Sequence, residues 1–256
     1  MLAIDAAAYK SPWRDVHPAV KGTLFGGLLL CALVLPTWPG AAITAATALV
    51  VAFGPAGVEP RAFVRAAWAP LLFILTGSVT LLFSVGVSGD AATGPAWGPV
   101  AWDPDGLERA ANIVGRASTA LICQLLFALT TPLADLLPRL TRIGLPTAVV
   151  EMIALIYRML FVTLDTARRI GTGQAGRLGY ASRRAWIRSV GSLGAALFIR
   201  SYDRAQRMQR GLECRGYTGE LTVLVDPLPL RPRALLAAAT VPILVATATI
   251  GLGVWL

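Results

Sequence analysis

Two arginines carry the clearest chemistry in this sequence. Arg177 ends the stretch Asp165-Thr-Ala-Arg-Arg-Ile-Gly-Thr-Gly-Gln-Ala-Gly-Arg177, and Arg215 ends Asp203-Arg-Ala-Gln-Arg-Met-Gln-Arg-Gly-Leu-Glu-Cys-Arg215. At a constant offset of 38 residues Asp165 matches Asp203, Ala167 matches Ala205, Arg169 matches Arg207 and Gly173 matches Gly211. A guanidinium is planar and always charged, and its five donors suit a bidentate grip on carboxylates. Arginine beside glycine is also what a helix C-terminus uses. The cation favours the negative end of the helix dipole, and glycine accepts the left-handed backbone that stops the helix. The two roles are compatible, because a cap fixes where the guanidinium points. Two similar basic arms predict one subunit that holds two similar partners.

The remaining reactive residue types offer less. His17 stands alone in Arg14-Asp-Val-His-Pro-Ala-Val-Lys21, and one imidazole near one carboxylate is too little for a catalytic metal. Cys31, Cys123 and Cys214 form an odd, scattered set, which gives neither a disulfide framework nor a zinc site. No phosphate-cradling Gly-x4-Gly-Lys, His-Glu-x2-His or Gly-x-Ser-x-Gly motif occurs. The expectation is a chain that performs no chemistry and carries no metal or cofactor itself.

The elements that position the arginines are set by hydropathy. Of 256 residues 55% are hydrophobic and only 14% charged, against about a quarter charged in a soluble domain. Apolar runs at 20–35, 41–58, 66–87, 113–131 and 234–256 predict about five transmembrane helices. The first run, followed by others and lacking a convincing cleavage site, is expected to be a retained span. Arg116 and Gln124 lie inside the fourth run, where polar groups are costly. The formal charge is +9, and residues 132–233 supply all of it, with 16 arginines against 7 acids. Lys10, Arg14, Lys21, Arg61, Arg65, Arg139 and Arg142 flank the span ends that should be cytoplasmic. The turn Pro36-Thr-Trp-Pro-Gly40 and the 88–110 loop, with Asp90, Asp103, Asp105 and Glu108 against Arg109, should face outward. The N-terminus is then inside and the C-terminus outside. The expected organisation is spans in 1–131, a cytoplasmic or interfacial segment at 132–233 and a last span at 234–256.

Within 132–233 the expectation is three helices. Leu133, Leu136, Leu137, Leu140 and Ile143 share one helical face opposite Asp135, Arg139 and Arg142, as in a helix lying at the bilayer surface. A second helix starts after Pro146 and is apolar through Leu164 except for Glu151 and Arg158. These two are too far apart to pair directly, and they are expected to bridge to neighbouring helices. The third runs from Ser182 to Arg215, with a stripe of Trp186, Val190, Leu193 and Leu197. Gly191, Gly194 and Ala195 beside it would allow close helix approach. Part of the basic run answers to positive-inside topology and contact with anionic lipid. Nucleic acid is not expected, since no recognition fold accompanies the charge.

With these residues in view, the chain resembles the T component of energy-coupling factor transporters, and within it the CbiQ family of cobalt and nickel systems. The opening Ile4-Asp-Ala-Ala-Ala-Tyr9 with Val16-His-Pro-Ala-Val-Lys21 is similar to the family's opening. Tyr157-Arg158, Arg177-Leu-Gly-Tyr180 and Glu213-Cys-Arg-Gly-Tyr-Thr-Gly219 are similar to its coupling region. The resemblance implies an all-α polytopic scaffold in a bacterial cytoplasmic membrane. It links two cytoplasmic ABC-type ATPases to a substrate-binding membrane subunit, with room for a small accessory membrane subunit. ATP and magnesium would sit on the ATPases and the metal ion on the substrate subunit. Short Ala-Arg-Gly-like signatures dock the ATPases. Here they correspond to Ala175, Arg177 and Gly179, and to Cys214, Arg215 and Gly216, with Gly176 interrupting the first and Cys214 replacing the usual alanine. Asp165, Arg169, Asp203, Arg207, Arg158 and Glu151 would support the coupling helices. A T subunit shared among vitamin carriers and a stand-alone permease are the alternative readings. The spans before residue 132 show no duplicated discontinuous helices of the kind that a permease uses.

Overall fold

Proline sets the starts of the long apolar helices. α2 (Pro18–Val34), α4 (Pro60–Val79), α5 (Pro104–Thr130) and α9 (Pro232–Trp255) each begin on one. At the first helical position its missing N–H costs nothing and its fixed φ is already helical. The computed structural model describes residues 3–34, 38–85, 96–97, 100–102, 104–141, 144–217 and 231–255. The middle of the first turn (35–37), Asp90, Asp103, Arg142 and Ile143 lie outside them. α1 (Ala3–Lys10) precedes α2, and α3 (Trp38–Phe53) follows it. α6 (Leu133–Leu140), α7 (Thr147–Gly176) and α8 (Arg183–Glu213) lie between α5 and α9.

The all-α expectation stands, with one addition. The loop between α4 and α5 carries a small antiparallel sheet of β1 (Phe83–Val85), β2 (Ala96–Trp97) and β3 (Val100–Trp102), in the order β1-β3-β2. The chain divides into two compact units, 1–133 with 226–256, and 134–225.

In the first unit α5 packs against α1, α2, α3 and α4, while α9 packs against α2 and α3. Leu24, Phe25 and Leu28 of α2 and Cys123, Leu126 and Leu129 of α5 form the centre of its core. α2 and α9 meet at Gly27, where a Cβ would fall 2.6 Å from Pro242 Cγ. Any side chain at Gly27 would push α9 away. Outside this core Val50, Phe73, Leu75, Ile243 and Leu244 are exposed. That is the arrangement a lipid-facing bundle needs, because hydrocarbon solvates such side chains.

Helices α4, α5, α7 and α9 are long and apolar enough to cross a membrane, whereas α2 and α3 are apolar but shorter. Each of the five expected spans therefore holds a helix, and α7 joins them as a further candidate. The third, expected over 66–87, starts earlier and gives way to β1 at Phe83–Val85. This is a multi-pass membrane protein. Lys21 departs from its expected place at a span end. It sits inside α2, fully buried, and its Nζ donates to the Thr130 carbonyl oxygen at 2.7 Å. It thus serves the last residue of α5, where carbonyls lack helical partners and the dipole is negative.

The second unit is built on α7 and α8. α7 has 30 residues and α8 has 31, each about 45 Å long at 1.5 Å per residue. The Ser182 hydroxyl accepts from Ala185 N–H and starts α8 cleanly.

Candidate docking site at the two helix tips

The two repeat copies close their helices with the same hydrogen bonds at the same offset. At the end of α7, Leu178 N–H donates to Ala175 O at 3.0 Å and Gly179 N–H to Gln174 O at 2.8 Å. At the end of α8, Gly216 N–H donates to Glu213 O and Tyr217 N–H to Leu212 O, both at 3.1 Å. Each position is 38 residues from its counterpart. Both are Schellman caps, in which the reversed chain satisfies two carbonyls that the helix leaves open.

The arginine comes just before the left-handed residue in both. Leu178 has φ 57° and Gly216 has φ 73°. The second cap places glycine where the sequence suggested. The first does not, since leucine takes the left-handed position and Gly179 comes one residue later. For leucine that conformation costs roughly 1–2 kcal/mol. Arg177 and Arg215 are exposed and make no ion pair among the described residues. Ala175 and Cys214 beside them are exposed as well.

Gly179 has a different task. A Cβ there would sit 2.6 Å from Ser189 Oγ and 2.8 Å from Gln174 O. Its bare backbone lets the tip of α7 lie against α8, where Ser189 Oγ donates to the Gly179 carbonyl at 2.8 Å. Gln174 Nε2 donates to Ser189 O at 3.0 Å and to Ser192 Oγ at 2.9 Å, while Tyr180 OH donates to Gln174 Oε1 at 2.7 Å. Sequence reasoning missed this brace. Ser189 and Ser192 lie three apart and so share a helix face, a hint of a polar partner, but nothing local identifies Gln174.

Other expected roles divide. Asp165 Oδ2 accepts from Arg169 Nε at 2.9 Å across one helical turn, whereas Asp203 and Arg207 form no such pair. Glu151 is buried and Arg158 exposed on α7. The close approach expected at Gly191 and Gly194 is not made among the described residues, with nothing of them within 4 Å of a Cβ built at either. Trp186 and Val190 of the stripe are exposed, while Leu193 and Leu197 are half-buried. Close packing between α7 and α8 is instead made at Gly179, because a chain reversal joins the helices there.

Arg116 and His17 find backbone partners within the bundle. Arg116 Nη2 donates to the Leu33 carbonyl oxygen near the end of α2. His17 Nδ1 accepts from Ala19 N–H at 3.1 Å and caps the start of α2. Among the described residues no three His, Cys, Asp or Glu side chains group closely enough to hold a metal ion.

The brace fixes Arg177 near Ser189, so about 26 residues of α8 separate the two arginines, or about 40 Å. That spacing, with free guanidiniums at both ends, allows two bulky partners to be held at once.

Comparison with known proteins agrees with a transport role. The CbiQ profile, described as a cobalt transport protein, matches residues 10–224. The cobalt transport protein CbiQ of Rhodobacter capsulatus is 36% identical over 225 residues, covering 88% of each chain. That of Salmonella typhimurium is 29% identical over 86% of this chain and 99% of its own. A putative fused cobalt transport protein CbiMQ of Methanocorpusculum labreanum is 27% identical over 84% of this chain and 36% of its own. With a profile spanning most of its length and a relative above a third identical, this chain belongs to the CbiQ family of cobalt transport proteins.

Proposed function

We propose that this protein is the scaffold and coupling subunit of an ATP-driven importer for cobalt or nickel ions, and performs no chemistry itself. Two cytoplasmic ATPases bind ATP with magnesium and close on each other. Arg177 and Arg215, seated in their grooves, move with them. α7 and α8 pass the displacement to a substrate-binding membrane subunit, which releases its ion inward. The observation that carries this reading is the pair of matching caps, each presenting a free arginine, about 40 Å apart. The relative described as a fused CbiMQ supports a second membrane component beside this one.

α8 suits the load. It has no internal proline or break, so force at one end reaches the other through a continuous hydrogen-bond ladder. The sixteen arginines of 132–233 favour the cytoplasmic side for both tips, in the cytoplasmic membrane of a bacterium. Of the three cysteines only Cys214 is exposed, so a membrane-impermeant maleimide should label it from the cytoplasmic face alone.

The deciding experiment is the double variant Arg177→Glu with Arg215→Glu. Removing a desolvated charge contact costs about 2–5 kcal/mol. The ATPases should no longer co-purify and metal uptake should stop, while the chain still inserts. Undiminished co-purification and uptake would defeat the proposal. Transport by the purified chain alone in liposomes without ATP would point instead to a stand-alone permease.

A further inference from the structure

A basic cleft between α7 and α8, away from both tips, has the make-up of an anion site. It encloses about 270 Å³ and is lined by Arg200, Ser201, Arg204 and Arg207 of α8 and by Thr163 and Thr166 of α7. The three arginines stand at i, i+4 and i+7, on one face of one helix. None of them makes an ion pair or hydrogen bond among the described residues. Like charges so spaced repel each other unless an anion lies between them. The neighbouring acids do not meet that need. Asp165 is already held by Arg169, and Asp203 is not in the lining.

The hydroxyls narrow the ligand further. Thr166 Oγ1 spends its proton on the Val162 carbonyl at 2.8 Å. Thr163 and Ser201 have no partner among the described residues and remain free to donate. Three guanidiniums with two free hydroxyls match the several acceptor oxygens of a phosphate ester.

The surroundings indicate where that phosphate comes from. The apolar run of α7 ends at Leu164, beside the cleft, after the exposed side chains of Ile156, Leu160 and Val162. On α8 the exposed Phe198, Ile199 and Tyr202 stand at the same level as the arginines, on the helix faces turned away from the cleft. Aromatic residues and arginines at the end of an apolar run are the usual occupants of the headgroup layer. We infer that this cleft binds the phosphodiester of an anionic phospholipid, with the acyl chains along the apolar part of α7. The inference needs only a membrane-resident chain and holds whatever docks at Arg177 and Arg215.

The test uses the full chain in nanodiscs of mixed phosphatidylglycerol and phosphatidylcholine, ejected into a native mass spectrometer. Wild type should retain phosphatidylglycerol in preference. The variant R200Q/R204Q/R207Q should lose that preference by about tenfold or more, since each basic residue near an anionic surface contributes about 1 kcal/mol. R183Q/R184Q/R188Q removes the same charge from the same helix and should retain it. Equal loss in both variants, or no preference in wild type, overturns the inference. So does displacement of the lipid by millimolar inorganic phosphate, which would mark the site as one for free phosphate. A readout independent of variant folding uses wild type alone. Phosphatidylglycerol with a photoreactive headgroup should cross-link to the peptides containing Thr163–Thr166 and Arg200–Arg207, and labelling only elsewhere refutes the site.

Discussion

The tip of α7 and the tip of α8 share a cap and differ in support. Both end in a Schellman reversal with an exposed arginine before the left-handed residue. The first is tied to α8 through Gln174, Gly179 and Ser189. Among the described residues the second has its own turn, with Gln209 Nε2 donating to Glu213 Oε1 at 3.0 Å, and no brace from another helix. The first also holds its ion pair between Asp165 and Arg169, which the second lacks. Among the described residues the backbone of the first tip is therefore held by α8, and that of the second by its own cap alone. Under the docking proposed above, a tip whose backbone is already held loses less freedom on binding, so tighter seating is expected at Arg177 than at Arg215.

Four experiments test that contrast, from the largest effect to the smallest. Charge reversal at either arginine alone should weaken ATPase retention by about thirtyfold or more, from a loss of at least 2 kcal/mol. Pull-down from detergent measures it, and a tolerated reversal at one tip would mean that a single handle carries the load. Gly179→Ala forces a Cβ against Ser189 Oγ and Gln174 O, costing about 1–3 kcal/mol. Hydrogen exchange should rise across 174–180 and stay unchanged at 212–217; a rise at both tips would show that they are mechanically linked. Gln174→Leu removes three hydrogen bonds but inserts no atom into the close contact. Exchange at the first tip should rise by about five- to tenfold, for roughly 1 kcal/mol in total, because water replaces most of each exposed bond. Leu178→Gly relieves the left-handed leucine and should stabilise the first tip by about 1 kcal/mol, while Gly216→Ala should destabilise the second by a similar amount. Thermal unfolding of the two variants should move in opposite directions.

The sequence made one half of this contrast visible. The shared cap was legible because helix ends obey local rules, and an offset of 38 residues survives in the hydrogen bonds themselves. The brace was not legible, since Ser189 meets Gly179 only through the turn that folds α8 back on α7. The matching Asp203 and Arg207 do not repeat the ion pair, for the converse reason. Identical spacing permits an ion pair, but exposed pairs are worth little and form only where their surroundings favour them. In the bundle, hydropathy gave the helices, yet Lys21 read as a flanking charge. Its burial depends on the end of α5 arriving beside it from 109 positions away in the chain. Of the strands between α4 and α5, β1 lies in the apolar run read as the end of the third span. The strands β2 and β3 sit in a Gly/Pro/Trp-rich loop whose composition carries no alternating pattern to reveal them.

The notch at Gly27 has a temporal consequence. Its complement, Pro242, belongs to the last helix, and the Cys31 thiol that donates to the Pro242 carbonyl is 211 residues upstream. At about 5–20 residues per second a ribosome needs on the order of 10–40 s to deliver the missing piece. During that interval α2 waits in the lipid with its groove unfilled while both arms are synthesised and released. A nascent chain halted before Pro232 would hold both helix tips complete while the groove of α2 at Gly27 still lacks its complement.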